Sequence, residues 1–140
     1  MVKTHSYTNR FTVNESRDKV VALLHDPQRF LRLPNDRVEL ENKGDVWIVT
    51  ENIPALSMQS TTSVTLTPTA DGLHVVRRTQ GVQLTFTSVW TVCEHDEADS
   101  CELVEEVQVE ASWMVMPIVK TRLAASQSEM EKNLRCAIAG

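Results

Sequence analysis

The spacing of apolar residues changes near residue 115, and this change constrains the fold more than any other feature of the chain. Between residues 38 and 113, apolar and polar residues alternate over several short stretches, as they do in half-buried β-strands. Beyond that point the apolar residues recur at steps of three and four, which is the period of one face of an α-helix; they are Met116, Val119, Leu123, Met130, Leu134, Ala137 and Ile138. The chain is therefore predicted to form a set of strands followed by one long amphipathic helix.

The N-terminal part predicts one further strand and two short helices. Residues 5–13 alternate, which predicts a half-buried strand. Asn14 or Ser16 can cap a first helix. That helix should end before Pro27, because the residue preceding a proline avoids the α-helical region, and the proline itself suits the first turn of a second short helix.

This order of elements indicates an α+β fold. An antiparallel sheet with one apolar face needs a covering layer, and only the C-terminal helix is long enough to supply it. A chain of 140 residues is the usual size of one domain. We therefore expect residues 1–140 to form a single domain, in which a curved antiparallel sheet of about seven strands wraps the long helix and encloses a pocket for a largely apolar small molecule.

Charge and hydropathy exclude several classes of partner. The net charge is −5 and no basic stripe of Lys and Arg is present, so neither nucleic acid nor an anionic membrane surface is an expected partner. The N-terminus lacks the apolar run of a signal peptide, and no stretch approaches the length of a transmembrane helix. A cytoplasmic location is therefore expected.

Residues that bind metals and cofactors do not occur in the required patterns. The three cysteines, at positions 93, 101 and 136, have no CxxC spacing, and the four histidines are scattered. Neither a zinc site nor a disulfide framework is therefore expected. The chain also lacks a phosphate-binding loop and a dinucleotide-binding motif. We expect no metal and no cofactor.

Four stretches of the sequence resemble a known superfamily. The residues from Arg10 to Pro27, RFTVNESRDKVVALLHDP, resemble the strand, capped helix and Asp-Pro stop with which START/Bet v 1-like proteins begin. The stretches DGLHVVRR (71–78), WTV (90–92) and LVEE (103–106) resemble small fungal members of this superfamily, which is also called SRPBCC or polyketide cyclase-like. The resemblance covers nearly the whole chain. It implies the helix-grip fold with a ligand cavity between sheet and helix, but no particular reaction, since the members include lipid carriers, hormone receptors, allergens and polyketide cyclases.

Polar residues at apolar-face positions are the candidates for chemistry. Glu105 and Arg77 are each in phase with the apolar residues of their strands, so both should face the interior. A carboxylate in such a place is either paired or has a raised pKa, and such groups concentrate at functional sites. The two could orient a ligand carbonyl or move a proton. They could instead form a structural ion pair, or a twist or bulge of the strand could place either residue in solvent. A slip of one residue would exchange them with Glu106 and Arg78.

Tyr7 is the third candidate catalytic residue. It falls on the apolar face of the first strand, where its hydroxyl could donate to a ligand oxygen or act as a general acid. The alternative is a core tyrosine whose hydroxyl is satisfied by a backbone carbonyl.

The residues expected to line the pocket share an inward-facing position on a strand or on the long helix. Small hydroxyl groups leave room and offer hydrogen bonds, whereas aromatic and thioether side chains either wall a pocket or fill a core. The candidate ligand-binding residues are Asn9, Ser60, Phe86, Ser88, Trp90, Trp113, Leu123, Gln127 and Met130.

The strand around Trp47 has an undecided phase. Trp47 and Val49 are apolar, but so are Val46 and Ile48, which alternate with them. A strand that is apolar on both faces would be covered on both sides, for example by a second subunit, and a homodimer is therefore considered.

Three functions fit these features. The first is a carrier or sensor that binds a hydrophobic small molecule or lipid in the cavity. The alternative is a polyketide or terpenoid cyclase, or a related enzyme of secondary metabolism, which acts by enclosing its substrate with one or two polar residues. A third is a protein-interaction domain whose core is filled. The lack of a recognisable catalytic constellation favours the first.

Overall fold

The computed structural model describes residues 1–34, 37–53, 58–95 and 99–139. The sequence pattern also predicts a strand end at residues 52–54, an acidic loop at 94–99 and an inward-facing Met58; residue 54, residues 96–98 and the side chain of Met58 lie outside what the structure describes. Within the described ranges the chain forms β1 (Val2–Val13), α1 (Arg17–Leu24), α2 (Pro27–Leu31), β2 (Glu39–Lys43), β3 (Val46–Ile53), β4 (Met58–Thr69), β5 (Gly72–Thr79), β6 (Leu84–Glu94), β7 (Cys101–Ser112) and α3 (Met116–Ala139).

The strands form one antiparallel sheet of seven strands in the order β1-β7-β6-β5-β4-β3-β2. The first strand therefore lies beside the last, while the remaining strands follow one another as hairpins. The long helix α3 contributes Leu134 and Ile138 to the main core, where they pack with residues of the strands and of α1 and α2. The predicted helix-grip architecture is confirmed. No helix among the described residues is long and apolar enough to cross a membrane.

The two short helices begin where the sequence provides caps. The Ser16 hydroxyl accepts a hydrogen bond from the Lys19 backbone N–H at the start of α1, and the Asp26 carboxylate accepts one from the Arg29 backbone N–H at the start of α2. Leu23, Leu24 and Phe30, from the same two helices, are buried in the main core. The helices α1 and α2 therefore close one end of the sheet.

The turn between β4 and β5 is hydrogen-bonded to the residue that follows α1. Nε2 of His25, just after α1, lies 2.9 Å from the carbonyl oxygens of both Thr69 and Gly72, so this nitrogen carries the hydrogen and donates it. Gly72 also packs against β6 so closely that a Cβ there would overlap the Trp90 carbonyl oxygen. Only glycine allows this approach.

The register fixes which side chains share the covered face of the sheet. Directly opposite residues of an antiparallel pair point to the same side. Glu105 lies opposite Asn9 of β1 and opposite Trp90 of β6, while Arg77 lies opposite Phe86. All five therefore face α3, as the alternation predicts.

The alternative in which each strand is shifted by one residue is excluded, because Glu106 and Arg78 would then have to face the core. Glu106 and Arg78 are exposed on the opposite face of the sheet. The undecided phase of β3 is also resolved. Trp47 and Val49 pack against the main core, and Ile48 therefore points to the other side.

The expectation that Trp113 faces inward is wrong. β7 ends one residue earlier, at Ser112, and the chain then turns towards α3. The Trp113 backbone N–H donates to the Met1 carbonyl oxygen at 3.0 Å, but the Trp113 side chain is 58% exposed.

Candidate functional site

A group of polar side chains lies on the covered face of the sheet and on the facing side of α3. We call it the interior polar cluster; it consists of Tyr7, Asn9, Arg77, Ser88, Glu105 and Gln127. Five different elements supply these six residues, because β1, β5, β6 and β7 each place a polar residue where alternation would otherwise place an apolar one. The cluster is therefore built by the tertiary fold and by no single motif.

The carboxylate of Glu105 is held by donors from both neighbouring strands. The Asn9 side-chain amide donates to Glu105 Oε1 at 3.0 Å from β1, and the Ser88 hydroxyl donates from β6. Leu103 and Val107, two positions away on either side along β7, are buried. Glu105 itself is only half-buried. The carboxylate therefore lies between two buried apolar residues and is held by polar groups of both adjacent strands.

Burial raises the pKa of Glu105 above its ordinary value. Loss of solvation is the largest cause, because it disfavours the charged form. The hydrogen bond from Asn9, the positive charge of Arg77 and the hydrogen bond from Ser88 each lower the pKa, in that order, but they only partly offset the burial. A carboxylate in this state is a better proton acceptor than an exposed one.

Tyr7 and Gln127 connect the sheet to the helix. The Gln127 side-chain amide donates to the Tyr7 hydroxyl oxygen, which joins β1 to α3. Burial is the main reason that the pKa of Tyr7 is raised; the nearby Glu105 adds to the increase and the hydrogen bond from Gln127 reduces it. The hydroxyl therefore keeps its proton at neutral pH and has a hydrogen to donate.

Arg77 faces the cluster without a direct partner. Its guanidinium carbon lies 5.7 Å from the centre of the Phe30 ring, and that ring meets Trp90 edge-on with 5.9 Å between ring centres. Glu105 is near enough to influence the pKa of Arg77, yet no direct ion pair joins these two described side chains. Burial lowers the pKa of Arg77, but a guanidinium remains charged at neutral pH.

The guanidinium of Arg77 consequently has unused hydrogen-bond donors. Among the described residues, no acceptor lies within hydrogen-bonding distance of it. A guanidinium carries five N–H donors in a planar fork. The side chain is half-buried, and each nitrogen that lacks a partner stays open to the space beside it, since no described side-chain nitrogen is both fully buried and unpaired.

The interior polar cluster divides the apolar interior into two parts. On one side, a smaller cluster includes Phe86 and Leu123. On the other, the main core includes Trp90 and, at its margin, Met130. Gln127 lies between Leu123 and Met130 on α3, one helical turn from each. Apolar surface therefore lies on both sides of the interior polar cluster.

The candidate residues do not all meet in one place. Tyr7, Asn9, Arg77, Ser88, Glu105 and Gln127 come together, and Phe86, Trp90, Leu123 and Met130 border them. Ser60 lies on β4 opposite Glu51, three strands away from Glu105 in the sheet. Trp113 lies outside the covered face.

Sequence reasoning missed Phe30 as a site residue. Its ring is fully buried and makes a cation–π contact with the Arg77 guanidinium. The sequence placed Phe30 on the second short helix, but strand alternation says nothing about where that helix docks. The available signal was its position as the one aromatic residue of two helices that must cover an open end of the sheet.

A separate cleft of about 480 Å³ lies between α2 and the last turns of α3. Two of its polar side chains, Arg29 and Asn133, join the two sides of the cleft. Arg29 donates to the Ala137 carbonyl oxygen at 3.0 Å, and Asn133 donates to the Leu33 carbonyl oxygen at 2.6 Å. This cleft is therefore a seam between packed helices. No group of three metal-binding side chains occurs anywhere in the described part of the chain.

Comparison with known proteins shows the fold. No protein-family model matches the chain, and no curated protein matches its sequence. Among solved structures, the chain is similar to a conserved protein from Geobacillus kaustophilus (13% identity, TM-score 0.80, 96% of this chain and 95% of that chain). It is also similar to a START superfamily protein from Mycobacterium smegmatis (14% identity, TM-score 0.73, 96% and 97%) and to truncated norcoclaurine synthase from Thalictrum flavum (14% identity, TM-score 0.74, 98% and 94%). These likenesses establish a START/Bet v 1-like fold.

The raised pKa of Glu105 predicts how the thermal stability of the protein depends on pH. In the unfolded chain this carboxyl loses its proton near its ordinary pKa, 4.5, while in the folded protein it loses it at higher pH. The folded state therefore binds more protons across that window, and the stability contributed by Glu105 falls as the pH rises through it. Glu105→Gln has no charge to bury. We expect this variant to gain roughly 2–4 °C in Tm relative to wild type when the pH is raised from 4 to 7.5.

The matched control is Glu106→Gln, which removes the same charge from the exposed face of the same strand. Thermal unfolding of the three proteins across this pH range is the measurement. If Glu105 were a structural ion-pair partner, Glu105→Gln would instead lose stability relative to wild type and to Glu106→Gln as the pH rises.

Proposed function

We propose that this protein is a carrier or sensor that binds an apolar small molecule between the sheet and α3, and that the molecule presents an oxygen acceptor to Arg77. The observation that carries the proposal is the half-buried guanidinium of Arg77, which has no hydrogen-bond acceptor among the described residues. An oxygen atom of a ligand would accept hydrogen bonds from the guanidinium donors that have no acceptor in the protein.

The chemistry of Arg77 specifies the polar part of the ligand. A guanidinium binds carbonyl, carboxylate or similar oxygens, and it binds planar acceptors through two parallel hydrogen bonds. Its guanidinium carbon lies 5.7 Å from the centre of the Phe30 ring, so this contact helps to hold the group in place. The protonated Tyr7 hydroxyl provides a further donor on the β1 side of the cluster.

The surroundings of the cluster specify the rest of the ligand. Phe86 and Leu123 offer apolar surface on one side, and Trp90 and Met130 offer it on the other. Ligand pockets typically combine such surface with a few convergent polar groups that fix orientation. The expected ligand is therefore mainly hydrocarbon or aromatic, with an oxygen function near its middle or at one end.

Other expectations from the sequence belong to the same proposal. They are kinship with small fungal members of the START/Bet v 1-like superfamily, a single domain over residues 1–140, a cytoplasmic location, a homodimer as one form of assembly, and no nucleic-acid partner. The START superfamily protein from Mycobacterium smegmatis supports the superfamily part of the first expectation by its fold, and nothing in the comparisons supports the fungal part.

The binding proposal is tested with pairs of molecules of equal shape. Each pair consists of an aromatic or linear acid and the hydrocarbon in which a methyl group replaces the carboxylate, such as 2-naphthoate and 2-methylnaphthalene. We expect acids to bind wild type more tightly than their partners, and Arg77→Met to weaken acid binding by roughly tenfold or more, because a charge-assisted hydrogen bond is lost. Binding of the hydrocarbons should change little, since methionine can still cover Phe30. Isothermal titration calorimetry measures both.

Arg78→Met is the matched control, because Arg78 is the next residue of β5 and is exposed on the opposite face. We expect it to bind every compound as wild type does. Equal losses in Arg77→Met and Arg78→Met, or no preference of wild type for any acid over its hydrocarbon, would contradict the proposal.

A second function, that of an enzyme, is favoured by the raised pKa of Glu105 beside a free guanidinium. With a ligand carbonyl on Arg77, the Glu105 carboxylate could take a proton from the carbon next to that carbonyl. The C–H electron pair would become the C=C bond of an enolate, and the carbonyl electrons would move onto oxygen, where Arg77 stabilises the negative charge. Such an enolate is the intermediate of cyclisation by carbon–carbon bond formation. Norcoclaurine synthase is an enzyme with this fold.

The enzyme function is tested by proton exchange in D₂O. A rigid ketone such as 2-tetralone is incubated with the protein, and NMR follows replacement of the hydrogens next to its carbonyl. If Glu105 is the base, exchange should rise with pH through its raised pKa and then level off, and Glu105→Gln should slow it by about a hundredfold or more. Glu106→Gln should leave the rate unchanged. An exchange rate that is the same in Glu105→Gln and wild type would leave binding as the only function.

A further inference from the structure

Large apolar side chains lie exposed at one end of the sheet, opposite the end that α1 and α2 close. We call them the end patch, which consists of Val2, Val82, Trp113, Met114 and Ile118. Each is between 46% and 67% exposed. Tryptophan, methionine and isoleucine side chains of this size are normally covered in a soluble protein, and an exposed group of them marks an interaction surface.

Hydrogen bonds bring three separate segments together at this end. Val2 of β1 pairs with Ser112 of β7 in the register, and the Trp113 backbone N–H donates to the Met1 carbonyl oxygen at 3.0 Å. On the other side of β7, the Ser112 backbone N–H donates to the Gln83 carbonyl oxygen at 3.1 Å. Helix α3 starts a few residues further on, so its first turn lies at the same end.

The charge of these segments is opposite to that of the whole chain. The protein has 19 acidic and 14 basic residues, but residues 1–14, 72–93 and 111–128 contain no Asp or Glu. Lys3 follows Val2 on β1, Lys120 and Arg122 follow Ile118 on the first turns of α3, and all three are exposed. The nearest carboxylate along these strands is that of Glu110, and the Gln108 amide donates to it at 3.4 Å. The end patch is therefore an apolar surface with a basic rim.

We propose that the end patch docks this protein onto an anionic lipid bilayer. Exposed Trp113 suits the boundary between headgroups and acyl chains, where one part of an indole ring is in apolar surroundings and its N–H is hydrated. Met114 and Ile118 add apolar area, and the rim cations attract anionic headgroups. A symmetric pair of two such patches would bring the same cations together, so a second copy of the chain is a poorer fit.

The sequence expectation of no anionic membrane partner is revised by this proposal, for a structural reason. The cations of the rim are 117 and 119 positions apart in the chain, counted from Lys3 to Lys120 and Arg122. No basic stripe is therefore visible in the sequence. The pairing of β1 with β7, and the start of α3 next to them, gathers the three residues at one end.

The docking proposal is tested with vesicles of phosphatidylcholine alone and vesicles of equal parts phosphatidylcholine and phosphatidylglycerol. Flotation of the full chain should show binding only to the anionic vesicles, and the binding should weaken as salt is added. Tryptophan fluorescence should shift to the blue on binding, because Trp113 is the exposed tryptophan while Trp90 is buried. Trp113→Ser should abolish that shift.

Charge variants test the basic rim separately. Lys120→Gln combined with Arg122→Gln should weaken vesicle binding by roughly thirtyfold, since each cation near an anionic surface contributes about fivefold. The matched control is Lys43→Gln combined with Lys132→Gln, which removes two exposed cations from the β2–β3 hairpin and the far half of α3. Val89→Ser is the control for apolar exposure, because Val89 is exposed on the outer face of β6. Both controls should bind as wild type does.

Three results would overturn the docking proposal. The first is no binding to anionic vesicles by the folded wild-type protein. The second is equal weakening by the rim variants and their controls. The third is a dimer in solution that dissociates on Trp113→Ser, which would assign the end patch to a second copy of the chain. Each is independent of the ligand-binding proposal, because none of these residues belongs to the interior polar cluster.

Discussion

The burial of the Glu105 carboxylate is the interaction on which the interior of this protein depends. It lies where the alternation of β7 would put an apolar side chain, and donors on both adjacent strands, Asn9 and Ser88, keep it solvated in place of water. Those donors only partly offset the loss of hydration, and the pKa of Glu105 stays raised. A leucine at this position would extend the apolar core without that cost. In our proposal, the carboxylate therefore serves the bound molecule and not the stability of the fold.

One end of the sheet is covered by helices and the other end is not. At one end, α1 and α2 supply buried apolar residues, and His25 locks the β4–β5 turn to them. At the other end, the strands stop at Ser112 and Leu84 without such a cover, and Trp113 is left exposed. In our proposals, the interior polar cluster binds a small molecule and the end patch binds a lipid bilayer.

Much of the fold could be predicted from the sequence, because a period of two and a period of 3.6 leave clear traces in a chain with one covered face. Glu105 and Arg77 were placed correctly for this reason. Whether the two side chains form a direct ion pair could not be predicted. A spacing pattern locates a side chain on one face of the sheet but gives no distance between residues of strands that are not neighbours. Trp113 was misplaced because the alternation of apolar residues continues past Ser112, where β7 ends. The position of Phe30 depends on how a short helix docks, which alternation does not describe.

The most direct test of a ligand on Arg77 is native mass spectrometry of the protein purified from its own host, followed by denaturing extraction of what it carried. We expect one apolar molecule per chain, with a carbonyl, a carboxylate or another acceptor oxygen, and we expect Arg77→Met prepared in the same way to have lost it while Arg78→Met retains it. An empty wild-type protein, or an equal load on Arg77→Met and wild type, would contradict the claim that this guanidinium recognises a bound molecule.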